Sequence, residues 1–151
     1  MRIGDTVTDF QLPDETGTPR KLSDFLAHGP VVLFFYPAAM TTGCTKESCH
    51  FRDLKSEFEA VGAQRIGISA DTVDKQREFS EKHTFDFPLL SDTDRTIAAR
   101  FGVKRRLTML PNKRSTFVID TDGKLLAVIS SEINMNQHAD KALEVLRRRA
   151  A

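Results

Sequence analysis

Cysteine is scarce in this 151-residue chain, which carries two thiols, Cys44 and Cys49. That excludes a scaffold stapled by several disulfides, and in a reducing compartment two cysteines read as catalytic or redox-sensing. A surplus of either charge is also missing: 22 Lys and Arg stand against 21 Asp and Glu, a formal net charge of +1. No global field draws the chain toward nucleic acid or an acidic partner. Long apolar runs are absent. Met1–Phe10 is interrupted by Arg2 and Asp5 and reads as neither a signal peptide nor a membrane span, so a cytoplasmic protein without membrane contact is the expectation. Repeats and low-complexity tracts are lacking too, and 40% apolar content suffices for one compact domain, 1–151.

What is present alternates between strand and helix signals. Ile3 to Leu12, followed by turn chemistry at Pro13, Asp14, Glu15 and Gly17, predicts an N-terminal hairpin ending near Leu22. Ser23 is placed to cap a short turn through Leu26, stopped by Gly29 and Pro30. Val31–Tyr36 is a continuous apolar run between prolines and reads as a buried central strand. Phe51, Leu54, Phe58 and Val61 recur at helical spacing and define the buried face of one helix, ended by Gly62. Arg65–Ser69 predicts a strand. Asp71 or Thr72 then caps a polar helix burying Val73 and Phe79, and Phe87, Leu89 and Leu90 predict a third strand, with Pro88 marking either an edge strand or a strand start. Asp92 and Asp94 introduce a short helix closed by Gly102, and residues 103–113 form a basic loop. Ser115–Ile119 and Leu125–Ile129 around Asp122–Gly123 form a hairpin, and Ala139–Arg149 a closing helix with Ala142, Leu143 and Leu146 inward. This order is α/β, a thioredoxin-like fold with a mixed central sheet, an N-terminal β-hairpin extension and flanking helices.

Both thiols fall in one stretch, Phe35–Asp53, where a loop delivers Cys44 to the start of a helix. Free N–H groups and the positive dipole end there favour a thiolate. An ordinary thiol of pKa near 8.5 is only about 3% ionised at pH 7, and mostly ionising it takes about 3 kcal/mol. A helix N-terminus supplies ~0.3–1 kcal/mol, up to ~2, so a cation should stand close to Cys44. Full ionisation gains only about thirtyfold in thiolate; larger acceleration must come from aligning and polarising the substrate. On a helical wheel Cys44 and Glu47 share the inward face of Phe51, while Cys49 lies about 140° from Cys44 on the solvent side. Their Cα atoms would be roughly 8–9 Å apart in a helix, beyond the ~7 Å reach of a disulfide. A redox cycle through both thiols therefore requires the first turns of the helix to unwind.

Pro37, Thr41 and Cys44 carry the pattern P-x-x-x-[TS]-x-x-C, which resembles the peroxiredoxin active site, and Gly43–Asp53 (GCTKESCHFRD) is similar to the peroxiredoxin Q group, also called bacterioferritin comigratory protein. The likeness extends through Gly67–Asp71, Pro88–Asp92 and Arg114 ahead of Thr116–Asp120. It implies that Cys44 is the peroxidatic thiolate, attacking hydrogen peroxide or an organic hydroperoxide. Thr41 would hydrogen-bond thiolate and peroxide, Pro37 would shield the pocket, and Arg114 would supply the cation, oriented by Glu47. Backbone N–H groups of Gly43 and Cys44 would hold the peroxide. Cys49 would resolve the sulfenic acid as an intramolecular disulfide, reduced by a thioredoxin- or glutaredoxin-type dithiol. No metal, flavin or haem is implied, and a monomer or weak homodimer is the expectation. One departure is visible: Thr42 stands where many members carry proline.

Other readings of these residues exist. Free cysteines are often inert core residues. Cys44, Cys49 and His50 as a metal site would lack further ligands and tetrahedral spacing. A dithiol–disulfide oxidoreductase would use C-x-x-C, which this chain lacks, and a peroxide sensor or holdase would pass oxidation to a partner. Lys104, Arg105, Arg106, Lys113 and Arg114 read as a solvated basic surface without the aromatics a nucleic-acid site interleaves. Leu107, Met109 and Leu110 either fold onto the domain or form a pocket lip or docking patch. His28, His50, His83 and His138 are scattered and read as surface residues.

Overall fold

The computed structural model describes residues 1–105 and 110–150. An antiparallel hairpin of β1 (Gln11–Pro13) and β2 (Pro19–Lys21) leads into α1 (Leu22–Leu26) and then β3 (Val31–Phe35). There follow α2 (Thr42–Asp53), α3 (Lys55–Ala60), β4 (Gln64–Ser69), α4 (Val73–His83), β5 (Leu89–Ser91) and α5 (Thr96–Arg100). A second hairpin, β6 (Ser115–Ile119) and β7 (Leu125–Ser130), precedes α6 (Asn136–Ala150).

The five-stranded sheet runs β5-β4-β3-β6-β7, parallel from β5 to β3 and antiparallel from β3 to β7. Every residue of β3 is buried, as the unbroken apolar run requires of a strand covered on both faces. Its side chains alternate between two cores. Val32 and Phe34 face Phe51 of α2, Phe58 of α3, Phe79 of α4 and the inner stripe of α6. Val31, Leu33 and Phe35 face Leu22 and Phe25 of α1, Ile97 of α5 and Phe101 just after it, and the N-terminal Val7 and Phe10. Phe34 and Phe51 stack with centroids 4.1 Å apart, which fastens the middle of α2 to the central strand.

Several boundaries differ from the sequence reading. The single helix expected after Cys44 is two, broken at Leu54, whose backbone (φ −93°, ψ 21°) leaves the helical region. Leu54 and Val61 are consequently only partly buried. Ser23 does not cap α1: its hydroxyl donates to Asp9 Oδ2 at 2.8 Å. Thr72 rather than Asp71 caps α4, where Val73 is half-buried and the unexpected buried residue is Gln76. The last helix begins at Asn136, three residues earlier than read. Leu110 is exposed, while Arg106, Leu107 and Met109 lie outside the described residues.

Gly67 marks the tightest approach in the sheet. A Cβ there would meet Leu89 Cδ2 at 2.8 Å, Phe34 Cζ at 3.0 Å and Tyr36 Cε1 at 3.1 Å. Gly67→Ala should cost about 1–3 kcal/mol through overpacking, read as a lower urea midpoint with an unchanged slope.

Candidate active site

The site forms where β3 ends. Tyr36 remains buried, Pro37 and Ala38 are half-buried, and Met40 adopts φ 68°, an uncommon conformation for a residue with a side chain. This turn aims the chain into α2. The loop is tied from behind. Ala39 N–H donates to Asp71 Oδ2 at 2.7 Å, and the Ser69 hydroxyl donates to the same oxygen at 2.6 Å. Ser69 Oγ accepts from Gln76 Nε2 at 2.8 Å, and Gln76 Oε1 accepts from the Tyr36 hydroxyl. The loop before Cys44 is thus anchored to β3, β4 and α4 by a connected polar chain.

The cation required beside Cys44 arrives from the neighbouring strand. Phe35 pairs with Ser115 in the antiparallel β3–β6 register, so Arg114 lies at the sheet edge from which the loop departs. Its Nη2 donates to Cys44 Sγ at 3.3 Å and its Nη1 to Glu47 Oε1 at 2.7 Å. Cys44 and Glu47 are three residues apart on α2 and face the same way. All three side chains are buried, Arg114 to 6% exposure. Burial works against the guanidinium charge, but Glu47 and Cys44 outweigh it and hold Arg114 above its ordinary value. Burial also pushes the Glu47 carboxyl up, to about 8, against the opposing pull of Arg114. Such a buried ionic cluster is a poor source of stability; its effect is electrostatic, a fixed cation facing the Cys44 sulfur in buried surroundings of low dielectric.

The structure brings Cys44, Glu47 and Arg114 together and sets Gly43 beside them, its Cβ position 3.2 Å from Arg114 Nη2. Gly43 and Cys44 lie in the first turn of α2, where backbone N–H groups have no intrahelical acceptor. Thr41 is different. It is exposed at the N-cap, its hydroxyl donates to Ala38 O at 2.7 Å, and no hydrogen bond joins it to Cys44. Cys49 is half-buried on the other side of α2, and burial pushes its thiol up, with Arg52 opposing and Asp53 adding. Both cysteines are free and sit within one unbroken helix. Among the described residues no three His, Cys, Asp or Glu gather as metal ligands.

Two site residues escaped the sequence reading. Asp71 serves the loop instead of a helix cap. His138, read as a surface residue, is fully buried, with Nδ1 3.5 Å from Glu47 Oε2. A signal existed: His138 lies one turn before Ala142 on the buried stripe of α6, visible once the helix is extended back past Ala139. The other histidines are exposed or half-buried; His50 Nε2 meets Asp140 at 2.7 Å, joining α2 to α6.

Residues 3–128 match the AhpC/TSA family. The chain is 36% identical over 155 residues to peroxiredoxin Bcp of Escherichia coli (strain K12), covering 99% of this chain and 98% of that one. Among solved structures, peroxidoxin BcpB from Mycobacterium tuberculosis superposes with a TM-score of 0.95 at 65% identity, over 98% of this chain and 97% of that one. The bacterioferritin comigratory protein of Xanthomonas campestris, described in connection with its alkyl peroxide reduction activity, superposes with a TM-score of 0.86 at 33% identity, over 94% and 92% of the two chains.

Removing the loop anchor tests its part in the site. Asp71→Ala should lower stability by about 1–3 kcal/mol through the acceptor lost to Ala39 N–H, and should slow the reaction of Cys44 with peroxide in stopped flow.

Proposed function

The chain belongs to the AhpC/TSA family, alongside the peroxiredoxin Q and bacterioferritin comigratory proteins, and from that premise we propose that Cys44 attacks the peroxide and Cys49 resolves the product. It is a thiol-dependent peroxidase of the antioxidant class, reducing peroxides at the expense of a thiol. The observation that carries the assignment of Cys44 is the hydrogen bond from Arg114 Nη2 to its sulfur, 3.3 Å long and buried.

In the first step the Cys44 thiolate attacks one peroxide oxygen. An S–O bond forms, the O–O bond breaks, and the departing oxygen takes the bonding pair and then a proton from solvent, leaving as water or an alcohol. Cys44 is oxidised by two electrons to sulfenic acid. Arg114 faces the reacting sulfur, Glu47 fixes the guanidinium, and the first-turn N–H groups of Gly43 and Cys44 hold the peroxide oxygens. Pro37 limits access of water. Thr41 receives the peroxide at the mouth of the pocket; its hydroxyl oxygen keeps a lone pair while its proton serves Ala38. Hydrogen peroxide and small organic hydroperoxides are the substrates, and the weakly polar loop of Ala38, Ala39 and Met40 suits the organic ones.

In the second step α2 unwinds from its start, and Cys49 attacks the sulfenic sulfur. The S–S bond forms and water leaves. The upward shift of the Cys49 thiol keeps it protonated while the helix is intact, so it does not compete with Cys44 for peroxide. A thioredoxin- or glutaredoxin-type dithiol then reduces the disulfide by exchange. We take residues 1–151 as one thioredoxin-like peroxiredoxin domain acting in the cytoplasm as a monomer or weak homodimer. Among the described residues no helix is long and apolar enough to cross a membrane.

Peroxide consumption with excess dithiol tests the reading. Turnover should be sustained in the native chain and absent in Cys44→Ser; a single stoichiometric oxidation of the native chain would instead mark a sensor. Cys49→Ser should undergo the first oxidation and accumulate sulfenic or sulfinic acid at Cys44, seen by intact mass. Only a dimer linked between chains in the oxidised native protein would refute the intramolecular step. Arg114→Ala should slow peroxide oxidation by about 10²–10³-fold, the usual effect of removing one preorganised donor.

A further inference from the structure

Behind Arg114 lies a layer of polar side chains that the steps above do not use. His138 Nε2 is 2.9 Å from the carbonyl oxygen of Ser131. A carbonyl only accepts, so Nε2 carries the proton. The neutral imidazole then presents one lone pair at Nδ1, 2.8 Å from the Thr116 hydroxyl, a group that can donate or accept. The same Nδ1 faces Glu47 Oε2 at 3.5 Å, and that buried oxygen has no hydrogen-bond partner among the described residues. An ionised Glu47 would set a carboxylate oxygen against a nitrogen lone pair with no donor between them, a costly state for a buried acceptor. One proton on Oε2 turns the contact into an attraction.

The charges around the pair favour that proton. Cys44 and Glu47 approach Arg114 from α2, His138 from α6, and Glu132 from the segment after β7. Glu132 Oε1 accepts from Arg114 N–H at 2.9 Å and from Arg105 Nη2 at 3.4 Å. With Cys44 ionised and Glu47 protonated, the buried Cys44–Arg114–Glu47 trio is neutral; with both ionised it carries an uncompensated negative charge. Burial raises Glu47 and lowers His138, with Arg114 adding to the latter, so the proton belongs on the carboxyl and not on the imidazole.

We propose that His138 is a positioning residue: it holds Glu47 in its protonated form and so leaves the charge of Arg114 to the Cys44 thiolate. The inference rests on Cys44 being the attacking thiolate. It makes Glu47 a conditional partner, which orients Arg114 through Oε1 while neutral and competes with Cys44 for its charge once ionised.

The test is the rate constant for hydrogen peroxide across pH 5–10 on the full chain. The native profile should rise with thiolate formation and fall on the alkaline side as Glu47 loses its proton. Glu47→Gln, with no proton to lose, should abolish the alkaline fall. His138→Leu should move that fall toward lower pH by about one unit and so reduce the neutral-pH rate about twofold, and His138→Gln, which restores an acceptor, should bring both back. An alkaline limb that stays put in His138→Leu, or persists in Glu47→Gln, overturns the proposal. Should His138→Leu not fold, nitrogen NMR of the native histidines decides: a neutral His138 protonated at Nε2 supports it, and an imidazolium or an Nδ1–H tautomer at pH 7 overturns it. Peroxide reactivity surviving in Cys44→Ser would instead remove the attacking thiolate itself, while the tautomer result would stand.

Discussion

A single guanidinium, that of Arg114, donates to both Cys44 and Glu47 among buried side chains, and the rest of the site is arranged around that sharing. Removing three ionisable groups from water is expensive unless the geometry is good. The geometry comes from two elements set independently. The β3–β6 register carries Arg114 to the sheet edge, and the helical phase of α2 turns Cys44 and Glu47 to meet it. A shift of one residue in the register would reverse the side-chain alternation of β6; a disturbance of the first helical turn would rotate the sulfur away.

The same first turn must come apart for Cys49 to reach Cys44. Glu47 and Ser48 lie between the two cysteines and are buried, so unwinding withdraws Glu47 from Arg114 and exposes both. Below them the helix is held by the Phe34–Phe51 stack and by Arg65, whose Nη1 donates to the Phe51 carbonyl at 2.8 Å. Opening can therefore stop within the first turns without disturbing the sheet, as a local transition cheaper than global unfolding. In the proposed cycle the cost of that opening would set how long sulfenic acid persists at Cys44, and with it the balance between turnover and overoxidation. The His50–Asp140 contact to α6 adds to that cost on the exposed side.

Much of this was legible in the residues. Val31–Tyr36 between two prolines announced the central strand, and the spacing of Cys44, Glu47 and Phe51 fixed which way each would face. The energetic shortfall of a helix terminus called for a cation near Cys44. Its identity as Arg114 came from family resemblance, because 70 residues separate it from Cys44 and only strand pairing closes that distance. His138 was missed because the periodic signal of α6 was started at Ala139, one residue too late to include it. Of the two caps the residues offer for α4, Asp71 or Thr72, Thr72 takes the role, and the part Asp71 plays in the loop has no local signal because its partner Ala39 lies 32 residues away. The break at Leu54 carries neither glycine nor proline, so nothing in the local sequence announced it.

The most direct test of a helix start that is both catalytic scaffold and moving part is amide hydrogen exchange across residues 42–50, compared between the reduced chain and the chain oxidised by one equivalent of peroxide. These amides should be protected in the reduced form and lose protection in the oxidised form, with protection in β3, β4 and β6 unchanged. An intramolecularly oxidised chain that kept its protection through Cys44–Cys49 would contradict that dual role.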